Sequence, residues 1–196
     1  MSQGRRGDAA TPPSAGASTT RSWVRVVEVV LWLGVAGLFL WRITPQVGAA
    51  AGWNAGGTSA PAVTVPMLDG RALSLENLRG QVVLVNFWAT WCPPCRAEMP
   101  GFQKVYAAKH AAGFTVVGIS MDDLSPRDIA GFLRDHAITY PVAMATRQAV
   151  AAFGGVNSFP TSFLIDRQGR LRYTVRGIFA EPTLRVAVDR LLAEGS

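Results

Sequence analysis

VVLVNFWATWCPPCRAEMP, Val82 to Pro100, is the stretch whose reading decides the fold. Val82–Trp88 is a near-continuous apolar run, rich in β-branched and aromatic residues. A run so short and so apolar reads as a buried strand of a covered sheet. It leads through Ala89-Thr90-Trp91 into Cys92-Pro93-Pro94-Cys95, and the residues that follow favour helix. The cysteines are therefore expected at a strand-to-helix junction. With Cys92 at the N-terminal end of the helix, free backbone N–H groups and the positive end of the helix dipole favour a thiolate there. Cys95, about one turn later, faces the same side within disulfide reach. The prolines suit a first turn, where a missing N–H costs little, and they stiffen the ring that a disulfide would close. The predicted chemistry is thiol–disulfide exchange, with Cys92 as the attacking thiolate and the more buried Cys95 as the resolving thiol.

Other readings of the cysteines fit less well. A zinc site needs two further ligands, and the chain has no third cysteine. Its histidines, His110 and His136, fall in mixed-polarity helical segments and read as surface or helix-end residues. No metal site is expected. A purely structural bridge over so small a loop would constrain the unfolded chain very little.

Composition narrows the class. The chain has 196 residues, 49% of them hydrophobic, enough for one ordinary domain plus extras. The net charge of +6 is not a nucleic-acid signal, because Arg5, Arg6, Arg21, Arg25 and Arg42 carry much of it. From residue 60 onward 14 basic and 11 acidic residues nearly balance, with no basic stripe interleaved with aromatics, so nucleic acid is not an expected partner.

Residues 1–22 are polar and small and read as a disordered cytoplasmic tail. The Arg5-Arg6 pair lies too far from the hydrophobic run for a twin-arginine export signal. Residues 23–43 read as a single transmembrane anchor in the lipid bilayer, since a helix from Val24 to Ile43 is long enough for a hydrocarbon core of about 30 Å. Trp23 and Trp41 mark its boundaries, and the arginines on its N-terminal side put that end in the cytoplasm. A cleaved signal peptide is the alternative, with Ala49-Ala50-Ala51 as the small-residue site. Residues 44–61 read as a flexible linker, and 62–196 as the folded domain.

Within that domain a short strand, Val63 to Leu68, and a helical turn, Ser74 to Leu78, precede the central strand. The dithiol helix runs from about Pro94 to Ala111, kinked at Pro100. Phe114 to Ser120 reads as a second buried strand. Ser125-Pro126-Arg127-Asp128 reads as a capped helix start, the helix ending near His136. A short extended piece from Tyr140 to Met144 and a helix from Thr146 to Phe153 follow. Thr161 to Asp166 and Leu171 to Val175 form a hairpin, and Glu181 to Ala193 an amphipathic closing helix. Strands alternating with helices imply an α/β fold, a mixed sheet with helices on both faces.

Two motifs carry a family resemblance. WATWCPPCRAEMP with its preceding VLVNFW, and about 65 residues downstream Phe159-Pro160-Thr161-Ser162-Phe163-Leu164-Ile165-Asp166 followed by Gly169, resemble the thioredoxin-like proteins of the TlpA/ResA type. Those are membrane-tethered thiol–disulfide oxidoreductases of the bacterial envelope, and the resemblance spans roughly Ala60 to Leu192. It implies a thioredoxin-like fold with an inserted strand-helix segment. It also implies a cis peptide bond at Pro160, packed against the dithiol, with the backbone before it pairing with substrate. Glu98 would lie near the dithiol and tune its proton handling. Trp91, Pro93, Pro94, Phe159 and Thr161 would meet the substrate. Asn86 departs from minimal thioredoxins, which carry a buried acid at that position, and this makes Glu98 the substitute proton acceptor. Phe159 is bulkier than many members carry there. Arg96 adds positive charge beside the pair.

The implied function is that of an enzyme without cofactor, a reductant of protein disulfides on the periplasmic side of the cytoplasmic membrane. It would draw electrons from a membrane thiol transporter, and its target in this family is often apocytochrome c. A general envelope reductase and an oxidant share the same chemistry. A peroxidase would need a separate peroxidatic cysteine. A thioredoxin-fold copper chaperone would favour a C-x-x-x-C spacing and a distant histidine, and the strand from Thr161 to Asp166 has none.

Overall fold

The computed structural model describes residues 25–35 and 53–194. Residues 25–35 are helical (α1), with exposed Val, Leu and Trp side chains, and belong to a unit separate from the domain. The rest of the expected span 23–43, the tail 1–22 and the linker up to residue 52 lie outside the described residues. Among the described residues no helix is long and apolar enough to cross a membrane.

The domain begins earlier than its composition suggests. Trp53–Ser59 form a strand (β1) within the expected linker 44–61. Its sequence, WNAGGTS, has no alternation that would mark a strand. The partner supplies the cause, since β8 (Arg170–Arg176) would otherwise present an open edge of backbone donors and acceptors. The register is irregular between Trp53 and Thr58. Gly57 lies there at φ +53, where an added Cβ would come within 3.0 Å of Arg170 Cβ.

β2 (Thr64–Pro66) and β3 (Ala72–Ser74) form a small separate hairpin, followed by a 3-10 turn, Leu75–Leu78, which Ser74 caps. The central strand β4 (Val82–Trp88) feeds helix α2 (Pro93–Lys109), and a further 3-10 turn, His110–Ala112, leads to β5 (Phe114–Ser120). Helix α3 (Pro126–Asp135) begins as expected, with Ser125 Oγ accepting from the Asp128 amide. The expected insertion is present as β6 (Val142–Met144) and α4 (Arg147–Ala152). β7 (Thr161–Ile165), β8 and α5 (Glu181–Ala193) close the fold.

The sheet order is β1-β8-β7-β4-β5-β6, with β4, β5 and β6 parallel and the other neighbours antiparallel. Met67, just beyond β2, bridges to Ala143 and covers the β6 edge. All seven residues of β4 are buried, so both faces of the sheet are covered. Val82, Leu84 and Trp88 pack on one face with α2, α3 and α5. Val83, Val85 and Phe87 pack on the other with Phe153 and Phe163. The first face is tight. An added Cβ at Gly118 would come within 3.0 Å of Trp88 Nε1, and one at Gly101 within 3.0 Å of Glu181 Cβ, where α2 meets α5.

Candidate active site

The dithiol lies where the parallel strands end and α2 begins. Cys92 is the N-cap of α2, in extended conformation, with Pro93 and Pro94 opening the helix. Its Sγ accepts from the Cys95 amide at 3.3 Å, so a backbone donor already points at the attacking sulfur. A donor and a helix N-terminus together favour negative charge on that atom. The two cysteines form a disulfide with Cα atoms 5.3 Å apart. Cys95 is 0% exposed and Cys92 4%, so only Cys92 offers a partner any access. Cys95 is thus the more enclosed of the two, as expected.

The approach to the dithiol is clamped from the neighbouring strand. Asp122, just beyond β5, accepts from the Thr90 amide at 3.0 Å, the Thr90 hydroxyl at 2.7 Å and Ser120 Oγ at 2.8 Å. The Met121 amide donates to Trp88 O at 2.8 Å. These bonds fix the loop that carries Trp91 and Cys92. Asp122 was not among the sequence-derived site residues. The available signal was a Ser-x-Asp triplet at the end of a strand parallel to β4, since such strands end side by side.

Trp91 is 65% exposed, and its ring meets that of half-buried Phe159 edge-on, with centroids 6.0 Å apart. Pro93 is exposed beside them and Pro94 half-buried. These four residues form an apolar surface at the dithiol. The Phe159–Pro160 bond is cis, and Pro160 O accepts from the Gly177 amide at 2.8 Å. Thr161 differs from the rest of the expected substrate-facing set. It is 3% exposed, and its hydroxyl donates to Ser158 O at 2.8 Å, so its side chain supports the loop from within. Arg96 is exposed. Trp88 is fully buried and stacks on Phe132 at 5.6 Å.

Glu98 is enclosed on the α2 face, at 4% exposure. It stands one turn after Cys95, on the same side of the helix. Asn86 Nδ2 donates to its Oε1 at 2.8 Å, and the Phe179 amide to its Oε2 at 3.0 Å. Burial pushes its pKa up to about 7, against the pull of these two donors. A carboxyl poised near neutrality beside a dithiol is suited to accept and return a proton. Tyr140, also buried on this face, is held well above the usual phenol range, chiefly by burial and further by the Glu98 charge. The Phe179 amide lies 81 residues from Glu98 and has no sequence signature.

His110 and His136 are exposed at helix C-termini, as expected of surface residues. Among the described residues no group of three or more His, Cys, Asp or Glu side chains gathers to hold a metal.

Residues 57–174 match the AhpC/TSA family. The thiol-disulfide oxidoreductase ResA of Bacillus thuringiensis (strain Al Hakam) is 36% identical over 129 residues, covering 65% of this chain and 71% of that one. A solved thiol:disulfide interchange protein of the thioredoxin family from Chlorobium tepidum TLS is 35% identical with a TM-score of 0.64, covering 71% of this chain and 99% of its own. A solved DsbF homologue from Corynebacterium diphtheriae is 26% identical with a TM-score of 0.66, covering 72% of this chain and 93% of its own. The matched segment contains both the dithiol and the Pro160 loop, and the chain belongs to the AhpC/TSA family as a ResA-like thiol–disulfide oxidoreductase.

Proposed function

We propose that this oxidoreductase is a reductant of protein disulfides on the outer side of the bacterial cytoplasmic membrane, with apocytochrome c as a target. Residues 23–43 are its membrane anchor, and a membrane thiol transporter recharges it. The observation that carries the reading is the buried Glu98, one turn beyond Cys95 and poised near pH 7. A reductant must turn its resolving thiol into a thiolate inside a closed site, and we assign this carboxylate as the acceptor of that proton.

The steps balance as follows. The Cys92 thiolate attacks one sulfur of the target disulfide, forming a mixed disulfide and releasing a target thiolate. The Cys95 thiol gives its proton to Glu98. The Cys95 thiolate attacks Cys92 Sγ, and the bond between Cys92 and the target breaks. The second target sulfur leaves as a thiolate and takes up the proton from Glu98. The target gains two electrons and the enzyme ends with the Cys92–Cys95 disulfide. Trp91, Phe159 and Pro93 supply an apolar platform for an unfolded chain around its cysteine pair.

The test is the reduction potential of the Cys92–Cys95 pair in the full-length chain, equilibrated against glutathione and dithiothreitol buffers. A value near thioredoxin's, roughly −270 mV, supports a reductant. A value near DsbA's, roughly −120 mV, overturns the direction of electron flow.

A further inference from the structure

Asn86 is a polar residue on an otherwise apolar stripe of β4, between Leu84 and Trp88 on the face that receives α2. Directly across the sheet it pairs with Ser162 of β7. Both are enclosed, at 1% and 0% exposure. Asn86 Nδ2 donates to Glu98 Oε1 at 2.8 Å and to Ser162 Oγ at 3.0 Å, and its Oδ1 has no hydrogen-bond partner. A buried polar group left unmatched is costly, so a one-sided use of this amide calls for a reason.

Amide chemistry supplies one. The side chain holds a double donor and an acceptor in one plane, and half a turn about its last bond exchanges them. In the first orientation the N–H groups serve a carboxylate on Glu98 and the oxygen of Ser162. In the second, Oδ1 accepts from a protonated Glu98 and from the Ser162 hydroxyl, which donates as readily as it accepts. We propose that Asn86 and Ser162 form an amide switch that follows the proton on Glu98, matching its charged form by donating and its neutral form by accepting. The proposal rests on the reading of Glu98 as proton acceptor for Cys95. When the proton moves from Cys95 Sγ to Glu98, an S–H bond breaks and an O–H bond forms. The amide turns, and no electrons are exchanged. Glu98 meets Asn86 from β4 and the Phe179 amide from the β8–α5 loop, its charge reaches the Tyr140 phenol in the segment before β6, and Cys95 stands one turn before it on α2. None of them carries a positive charge to lock the carboxylate in one form. An acid at position 86 would not serve, because two carboxyls at this distance share one proton and titrate as a pair.

The test measures the rate of alkylation of Cys92 by iodoacetamide against pH in the reduced full-length chain, for the wild type, E98Q, N86A, N86D and S162A. The wild type should show an inflection near pH 7 that E98Q lacks. N86A should move it upward by about one pH unit, the scale of one lost hydrogen bond to a charged group. N86D should split it into two, one lower and one higher. S162A removes only a hydroxyl and should move it upward by less, which keeps the proposal testable if N86A does not fold. The Asn86 side-chain NH2 resonances of the wild type should titrate with the same midpoint. If N86A, N86D and S162A all keep the wild-type inflection while E98Q loses it, the switch is overturned and Glu98 stands. If E98Q keeps the inflection, the reading of Glu98 fails, and the switch with it.

Discussion

Glu98 and Asp166 are both enclosed carboxylates, at 4% and 2% exposure, and they have opposite acidities. Asp166 lies just after β7 at the turn to β8. Its oxygens accept from the Gln168 and Arg170 amides at 3.0 and 2.9 Å and from the guanidinium groups of Arg170 and Arg172 at 2.9 and 3.2 Å. Burial alone would raise its pKa, but these amide and guanidinium partners hold it below the usual carboxylate range. Glu98 has an amide side chain and a backbone N–H, both neutral, and burial prevails. Enclosure therefore does not decide what a carboxylate does. A fixed cation makes it a structural anion, whereas neutral donors leave it free to exchange a proton.

The comparison breaks most sharply at Glu98. E98Q should slow the resolution of a mixed disulfide by about 100-fold above neutral pH, the scale of one general acid–base group, as read by stopped-flow reduction of a protein disulfide. D166N should leave that rate unchanged, and an equal loss in both would refute the contrast.

Stability against pH separates the two with opposite signs. Glu98 has a folded pKa raised above the unfolded value, so its contribution is fully present below about pH 4.5 and is lost as pH rises through 7. The loss is about 3 kcal/mol, and denaturant midpoints of E98Q should lack that slope. Asp166 has a lowered pKa, so its contribution is present above its unfolded value near 4 and is lost as pH falls through the folded one. D166A should cost about 2–3 kcal/mol at pH 7, because it leaves the Gln168 and Arg170 amides without their acceptor and takes from Arg172 one of its two carboxylates, Glu194 remaining. G118A, beside Trp88 on the Glu98 face, should cost about 1–3 kcal/mol by overpacking, with the inflection near pH 7 retained. The smallest effect is expected for R170A. That side chain is 47% exposed, and its pair with Asp166 should contribute less than about 1 kcal/mol in urea unfolding.

What was legible in the sequence is what neighbouring residues cause. The strand-to-helix junction at Cys92, the Ser125 cap and the closing helix from Glu181 to Ala193 follow from local periodicity and capping, and the structure has each of them. Glu98 was legible as well, because three residues after Cys95 is one helical turn. Its enclosure was not, since that depends on Asn86 from β4 and on the Phe179 amide reached across 81 residues. Asp122 escaped notice for the same reason, as it acts on Thr90 only because β4 and β5 end side by side. Thr161 was placed in the right loop, but the inward side of a strand turned its hydroxyl to Ser158. Among the described residues composition misled at 53–59, where glycine-rich sequence reads as linker and β8 makes it strand.

That last strand bears on how the protein is cut for study. A recombinant fragment starting at residue 62 would keep the dithiol and the whole catalytic face, yet strip β1 from β8. The bared ladder would face solvent with its amides and carbonyls unsatisfied, an invitation to a second molecule to add its own strand. Dimers or aggregates in such a preparation would be the mark of the missing strand, and a fragment starting before Trp53 should run as a single species.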